Sequence, residues 1–326
     1  MTFSITDTAV KATMAAIADE SVTAEEKIQL LMEMAQGFLN KPKTAQDLRS
    51  GLGLFYRAYQ MCGEDYPLWK ARAKVGMGAA LQMIPDSNPQ LLVQAKESYE
   101  EALPLLQEFA EPIEVAETQL NLGLVIQSLV PHSLARMTDS IQAYHEALRV
   151  FTWQEYPQDY AILHNNIAIA YLSMPMSSES EHLRQGLAVQ SFEAALEHIN
   201  LSDHPREYAM LQNNLGNALQ YLISSHPIDN NLRAISAYDE ALKVRNPQDT
   251  PIEYANTISN KANVLFNLPD DPEKPELGNP ENLINAKLYY QEALQIFTEY
   301  QDTEKVEIVN QALKDLAAEI QAFELN

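Results

Sequence analysis

Apolar residues return along this chain at the spacing of three and four that puts side chains on one face of a helix. The simplest case is near the C-terminal end, where Val306, Ile308, Val309, Leu313, Leu316, Ile320 and Phe323 stand near helical spacing with acids between them. That pattern predicts a single helix over residues 304–323. Upstream the pattern comes in blocks that repeat. An aromatic residue, two variable residues and Ala-Leu recur as Tyr99 to Leu103, Tyr144 to Leu148, Phe192 to Leu196, Tyr238 to Leu242 and Tyr290 to Leu294. Ahead of each block a proline precedes an alanine by four residues, in the pairs Pro67 and Ala71, Pro112 and Ala116, Pro157 and Ala161, Pro205 and Ala209, and Pro251 and Ala255. Seven residues beyond each alanine stands a small residue: Gly78, Gly123, Ala168, Gly216 and Ala262. Successive prolines lie 45 to 48 residues apart, and matches in a fixed register at that period identify a stacked repeat.

The residues say what each unit builds. Proline suits the first turn of a helix, where its missing N–H is not needed, and Glu114, Asp159, Glu207 and Glu253 two residues later face the positive end of the helix dipole. Each proline therefore opens a first helix, A, and Thr250-Pro-Ile-Glu253 adds a capping-box pattern to one of these starts. The small residue lets helix B come close, and the aromatic with its Ala-Leu fills the gap between neighbouring pairs. One pair alone cannot bury its apolar faces, so the units must fold as a stack. Before Pro67 the pattern is degenerate. Thr23-Ala-Glu-Glu26 is a capping box opening a helix over 24–39, and residues 44–61 carry Phe55 and Ala58 at the aromatic and alanine positions. These read as an atypical first pair, with residues 7–18 as a short leading helix.

The small residue of helix A and the aromatic plus alanine of helix B resemble the tetratricopeptide repeat signature. The usual repeat is ~34 residues, and here the excess falls between the small residue and the helix-B aromatic. The Pro-x-x-x-Ala opening followed by Asn-Asn-Ile-Ala (165–168) or Asn-Asn-Leu-Gly (213–216) is similar to the lengthened repeats of kinesin light chains and of bacterial, notably cyanobacterial, repeat proteins. The resemblance implies an all-α superhelical solenoid of antiparallel helix pairs. It divides the chain into atypical N-terminal helices (1–66), five repeats (67–111, 112–156, 157–204, 205–250 and 251–302) and a C-terminal capping helix (303–326). It implies only a generic function, the binding of other proteins.

Charge narrows the partners. Of the formal net charge of −23, residues 1–100 hold 10 Lys+Arg and 12 Asp+Glu, and residues 101–326 hold 12 and 33, a balance of −21. Such a surface repels phosphate backbones and steers a basic partner, so no nucleic acid is expected and a client segment of basic character fits. Solubility alone also accounts for acidity. Cys62 is the single cysteine, which excludes an intrachain disulfide and fits the reducing cytosol. The N-terminal residues lack the apolar run of a signal peptide. No stretch reaches the length of a membrane span, so no membrane partner is expected.

Asparagines carry the most information about a site. Asn121, Asn166, Asn214 and Asn260 each lie two residues before the small residue of helix A, a position that the resemblance places on the concave side. Asn213 and Asn217 join Asn214, and Asn256, Asn260, Asn263 and Asn267 form one helical stripe. Asparagine costs several tenths of a kcal/mol in a helix relative to alanine. Its carboxamide offers both donor and acceptor to the backbone of an extended peptide. The alternative is that these amides bond from repeat to repeat and only order the stack. The first strong repeat departs from the pattern, with Gly76 in the asparagine's place and Arg57, Trp69, Lys70, Arg72 and Lys74 nearby. Arg57, Trp69 and Arg72 form a candidate second contact for an acidic segment, though such clusters are more often solvated faces. Pro85, Pro89, Pro131, Pro175, Pro227, Pro269, Pro272, Pro275 and Pro280 are expected in the A-to-B linkers.

Catalytic patterns are absent. Gly51-Leu-Gly53 and Gly76-Met-Gly78 sit in helical context without a phosphate loop, and Glu179-x-x-His182 stands alone where a di-metal site needs two such pairs. His145 and His164 fall inside repeat helices. No enzyme activity, cofactor or metal is expected. The leading expectation is an adaptor, or an assembly or maturation chaperone, that binds a client protein or peptide segment in a groove; the alternative is a regulator whose superhelix closes on a small peptide.

Overall fold

The computed structural model describes residues 17, 21–174, 181–224 and 226–324, with side chains to residue 321. Among the described residues it holds thirteen α-helices and no strand. The chain forms two compact units, residues 1–152 and 153–326. The first contains α1 (Ala24–Asn40), α2 (Ala45–Cys62), α3 (Pro67–Met83), α4 (Gln90–Phe109), α5 (Pro112–Leu129) and α6 (Met137–Ala147). The second contains α7 (Pro157–Leu172), α8 (Glu181–Leu196), α9 (Pro205–Gln220), α10 (Pro227–Leu242), α11 (Pro251–Asn267), α12 (Pro280–Glu299) and α13 (Thr303–Glu324). Within each unit every helix packs on the next, and neighbouring A helices also touch, α1 with α3 and α3 with α5 in the first unit, α7 with α9 and α9 with α11 in the second. This is a helical solenoid, with the A helices together forming one wall of each unit.

Local chemistry accounts for these elements. Pro67, Pro112, Pro157, Pro205 and Pro251 all stand in the first turn of the A helices as expected. Thr23 and Glu26 close the expected capping box, and Thr44 with Asp47 forms a second one that opens α2. Thr250 does not cap α11. Its hydroxyl turns back into the preceding turn, accepting from the Asn246 N–H at 3.0 Å and lying 3.3 Å from the Asn246 carbonyl, and makes no hydrogen bond to the first turn of the helix. Pro227 and Pro280 are not linker residues, since they open α10 and α12. Pro89 is the N-cap of α4, Pro131 and Pro275 sit in short 3₁₀ turns, and Pro175 lies outside the described residues. The leading helix expected over 7–18 also lies outside them, apart from the buried Ile17.

Packing follows the repeat. Ala102, Ala147, Ala195, Ala241 and Ala293 are wholly buried, and Tyr99, Tyr144, Phe192 and Tyr238 are buried beside them. The glycines of helix A are what admit these rings. A Cβ on Gly216 would lie 2.6 Å from the Tyr238 ring, and one on Gly78 2.8 Å from the Tyr99 ring. Gly76 has the same role one pair earlier, because the ring of Phe55 occupies the space its Cβ would need. That contact explains why glycine replaces asparagine there. The extra repeat length is partly helical, as each A helix runs about one turn past its small residue. The final helix α13 covers α12 with Val309 and Leu316 buried, as expected of a cap. Ile308, assigned to the apolar face, is 54% exposed, because its neighbour Val309 takes the inward position.

Candidate functional site

The two A-helix walls differ in chemistry. In the first unit α1, α3 and α5 enclose a cleft of about 370 Å³. Met32, Val75 and Ala79 give it an apolar lining, and Gln36, Arg72, Glu114 and Asn121 give it a polar one. Arg72 lines this cleft, and its charge is already matched: Nε and Nη2 each donate to Glu114 at 2.8 Å, a forked pair joining α3 to α5. The Arg72 guanidinium holds the Glu114 carboxyl below its ordinary range, and the carboxylate in turn raises Arg72. Arg72 also lies 5.1 Å from the centre of the Trp69 ring, whose Nε1 donates to Glu25 at 3.1 Å. Lys70 pairs with Glu64 and Lys74 with Glu101. Arg57 is exposed on α2. Of the cationic cluster only Arg72 lies over Trp69, whereas Lys70 and Lys74 lie over the ring of Tyr59, and each of these three cations is paired with an acid.

The second unit carries the asparagine wall, and most of it is bonded internally. Asn214 Nδ2 donates to Asn165 Oδ1 at 2.7 Å, from α9 back to α7. Asn165 Nδ2 donates to Asn166 Oδ1 at 3.3 Å, and Asn213 Nδ2 to Asn214 Oδ1 at 3.0 Å. Asn213 Oδ1 faces the Thr257 hydroxyl of α11 at 3.1 Å, and Thr257 accepts from Arg245 Nη1 at 2.8 Å. Asn217 accepts from the Tyr238 hydroxyl at 2.8 Å, the service that Gln127 performs for Tyr144 at 2.9 Å. Asn263 donates to Gln220 at 3.1 Å. The repeat-to-repeat alternative thus holds for Asn213, Asn214 and Asn263, while among the described residues Asn166 bonds only to Asn165 of its own helix. Asn121, Asn256 and Asn260 are half-buried and make no side-chain hydrogen bond among the described residues.

Three members of this network were missed by the sequence reading, and each left a signal. Asn165 is the first half of the Asn-Asn pair of which only Asn166 was selected. Thr257 replaces the leucine found at the same place in α7 and α9, Leu163 and Leu211. Arg245 is the clearest, because four residues after the repeat alanine the other units carry Leu106, Phe151, Ile199 and Phe297, all nearly or wholly buried. Burial pulls the Arg245 guanidinium below its ordinary range, partly offset by the charge of Glu253.

The other motifs are structural. Gly51, Gly53, Gly76 and Gly78 lie within helices α2 and α3. His145 is in α6, and His164 in α7 bonds Ser191 of α8 at 3.1 Å. His182 Nδ1 lies 3.0 Å from the Ile223 carbonyl at the surface, while Glu179 is outside the described residues. Among the described residues no three His, Cys, Asp or Glu side chains converge as metal ligands, and no helix is long and apolar enough to cross a membrane.

No family model matches the sequence, and no curated protein matches it. The match among solved structures is one of shape. The chain superposes on a signal transduction ATPase with numerous domains from Pyrococcus horikoshii, a protein with a tetratricopeptide repeat sensor, at a TM-score of 0.58 and 15% identity, covering 92% of this chain and 41% of that one. A Rap protein complexed with competence and sporulation factor aligns at a TM-score of 0.43 and 11% identity, over 96% of this chain and 98% of that one. The chain therefore has a tetratricopeptide-like helical repeat fold, and it spans less than half the length of the archaeal ATPase.

Proposed function

We propose that this protein is a non-catalytic interaction module, an adaptor or assembly factor that holds an extended segment of a client protein against an A-helix wall. One observation carries the reading. Asn121, Asn256 and Asn260 occupy helical positions where asparagine is disfavoured by several tenths of a kcal/mol each, and no side-chain hydrogen bond among the described residues compensates for them. Carboxamides with unspent donors and acceptors suit a peptide backbone, which supplies both along its length. The tetratricopeptide sensor named for the archaeal ATPase is a module of the same fold, consistent with recognition of another molecule. The acidic balance of residues 101–326 favours a client segment with basic side chains, attracted more strongly at low salt.

The test is to place a photo-crosslinking residue, one at a time, at position 121, 256 or 260 and at the exposed helix-B position Leu288, capture clients from the native source and map the linked peptide by mass spectrometry. Crosslinks to a client segment from 121 in the first unit, or from 256 and 260 in the second, support the reading. Crosslinks from position 288 alone would place the contact away from the A-helix positions and sink it.

A further inference from the structure

The amide network of the second unit has a direction. Arg245 is a donor only, so Thr257 must accept from it. Beyond Thr257 each asparagine turns its oxygen toward Arg245 and its nitrogen away, in the order Asn213, Asn214, Asn165 and Asn166. At the far end the Asn166 oxygen is occupied by Asn165, and its NH₂ has no acceptor among the described residues. The chain could in principle run the other way. The Thr257 hydroxyl also lies 2.8 Å from the Glu253 carbonyl; with its proton there, Asn213 would donate to Thr257, every amide would flip, and Asn166 would present its oxygen.

Charge decides between the two. Asn213 and Asn165 are almost fully buried and Thr257 is wholly so, and among the described residues no carboxylate pairs with Arg245. In such surroundings a guanidinium one hydroxyl away favours the negative, oxygen end of the Asn213 amide over its NH₂ end. Each aligned amide then polarises the next. No other repeat has this cation, since an apolar residue stands at its place in each of them.

We propose that Arg245 is a positioning residue that sets the polarity of the amide chain, so that Asn166 presents paired N–H donors and recognises a hydrogen-bond acceptor on the bound segment. This rests on the groove reading above. Two groups supply that chemistry, a backbone carbonyl and a carboxylate. The balance of −21 over residues 101–326 repels the second, which makes the neutral carbonyl the ligand group.

The test uses the full chain with ¹⁵N-labelled asparagine and follows the side-chain NH₂ resonances of Asn166 while small probes are added. N-methylacetamide represents the backbone carbonyl, acetate the carboxylate and methylammonium a donor without an acceptor. The Asn166 NH₂ resonances are expected to move with N-methylacetamide, less with acetate and not with methylammonium. Arg245→Leu, which restores the apolar register of the other repeats, should abolish or sharply reduce the N-methylacetamide response, and Arg245→Lys, still a donor only, should retain it. Should Arg245→Leu fail to fold, Thr257→Val breaks the link one step later and must give the same loss. A response to methylammonium, or an unchanged N-methylacetamide response in Arg245→Leu and Thr257→Val, overturns the proposal. These outcomes need no client, so a client found to bind elsewhere would refute the groove while leaving the polarity result intact.

Discussion

The Asn214 side chain donates to that of Asn165 at 2.7 Å across 49 residues of sequence, and so ties the A helix of one repeat to the A helix of the repeat before it. Removing Asn214 strands the buried Asn165 amide, whereas removing Asn165 leaves the half-buried Asn214 without its acceptor. Asn214→Ala should cost about 1–3 kcal/mol, because Asn165 then lacks its donor in a site with little access to water. Urea unfolding of both single variants and the double variant should reveal a coupling of roughly 0.5–3 kcal/mol between the two sites. Additive single effects would mean that the bond contributes no net stability.

Asn260 is expected to behave in the opposite way. Its side chain makes no hydrogen bond among the described residues, and alanine is the better helix former, so Asn260→Ala should leave the melting temperature unchanged or slightly raised while weakening client binding. A single substitution thereby separates recognition from stability, which Asn214 cannot do because its amide serves the stack. Titration calorimetry with the captured client segment, next to a melting curve, makes the check. Unaltered affinity would remove Asn260 from the site.

The repeat alanines are predicted to be intolerant of size. Ala147 is wholly buried where α6 meets α5, and its neighbour Tyr144 fills the space beside Gly123. Ala147→Leu should overpack this contact and cost about 1–3 kcal/mol, read as a fall in the denaturant midpoint with the slope preserved. An unchanged midpoint would refute close helix approach at this position.

Acid should loosen the first unit through Glu114. Its carboxyl is held below the ordinary value chiefly by the hydrogen-bonded Arg72 guanidinium, so the folded state binds a proton less readily than the unfolded chain. The stabilisation is fully present above the unfolded carboxylate pKa of about 4.3 and is lost as pH falls through the lower folded value. The pair is partly exposed, which makes the effect modest. Glu114→Gln should be less stable than the parent at neutral pH, with the gap closing in acid. A gap that stays constant from pH 7 to pH 2 would show that the ion pair is not its source.

Period, helix pairing and close-packed positions were legible in the sequence because each rests on local chemistry repeated in register. Proline opens all five A helices, the five repeat alanines are wholly buried, and the small residue faces the aromatic ring directly at Gly78, Gly123 and Gly216. The asparagines were legible as a set. Their roles were not, because a carboxamide reads the same in sequence whether its partner is another repeat or a ligand. Only the tertiary structure separates Asn213 and Asn214, bonded across repeats, from Asn166, bonded to its own helix, and from Asn121, Asn256 and Asn260, which make no side-chain hydrogen bond among the described residues. The same holds for Arg72, a free cation by composition until Glu114, 42 residues away, is brought to 2.8 Å. Sequence determines what each residue offers over one or two helical turns, whereas hydrogen bonds and ion pairs between repeats depend on side-chain directions more than 40 residues apart, which are fixed only when the helices stack.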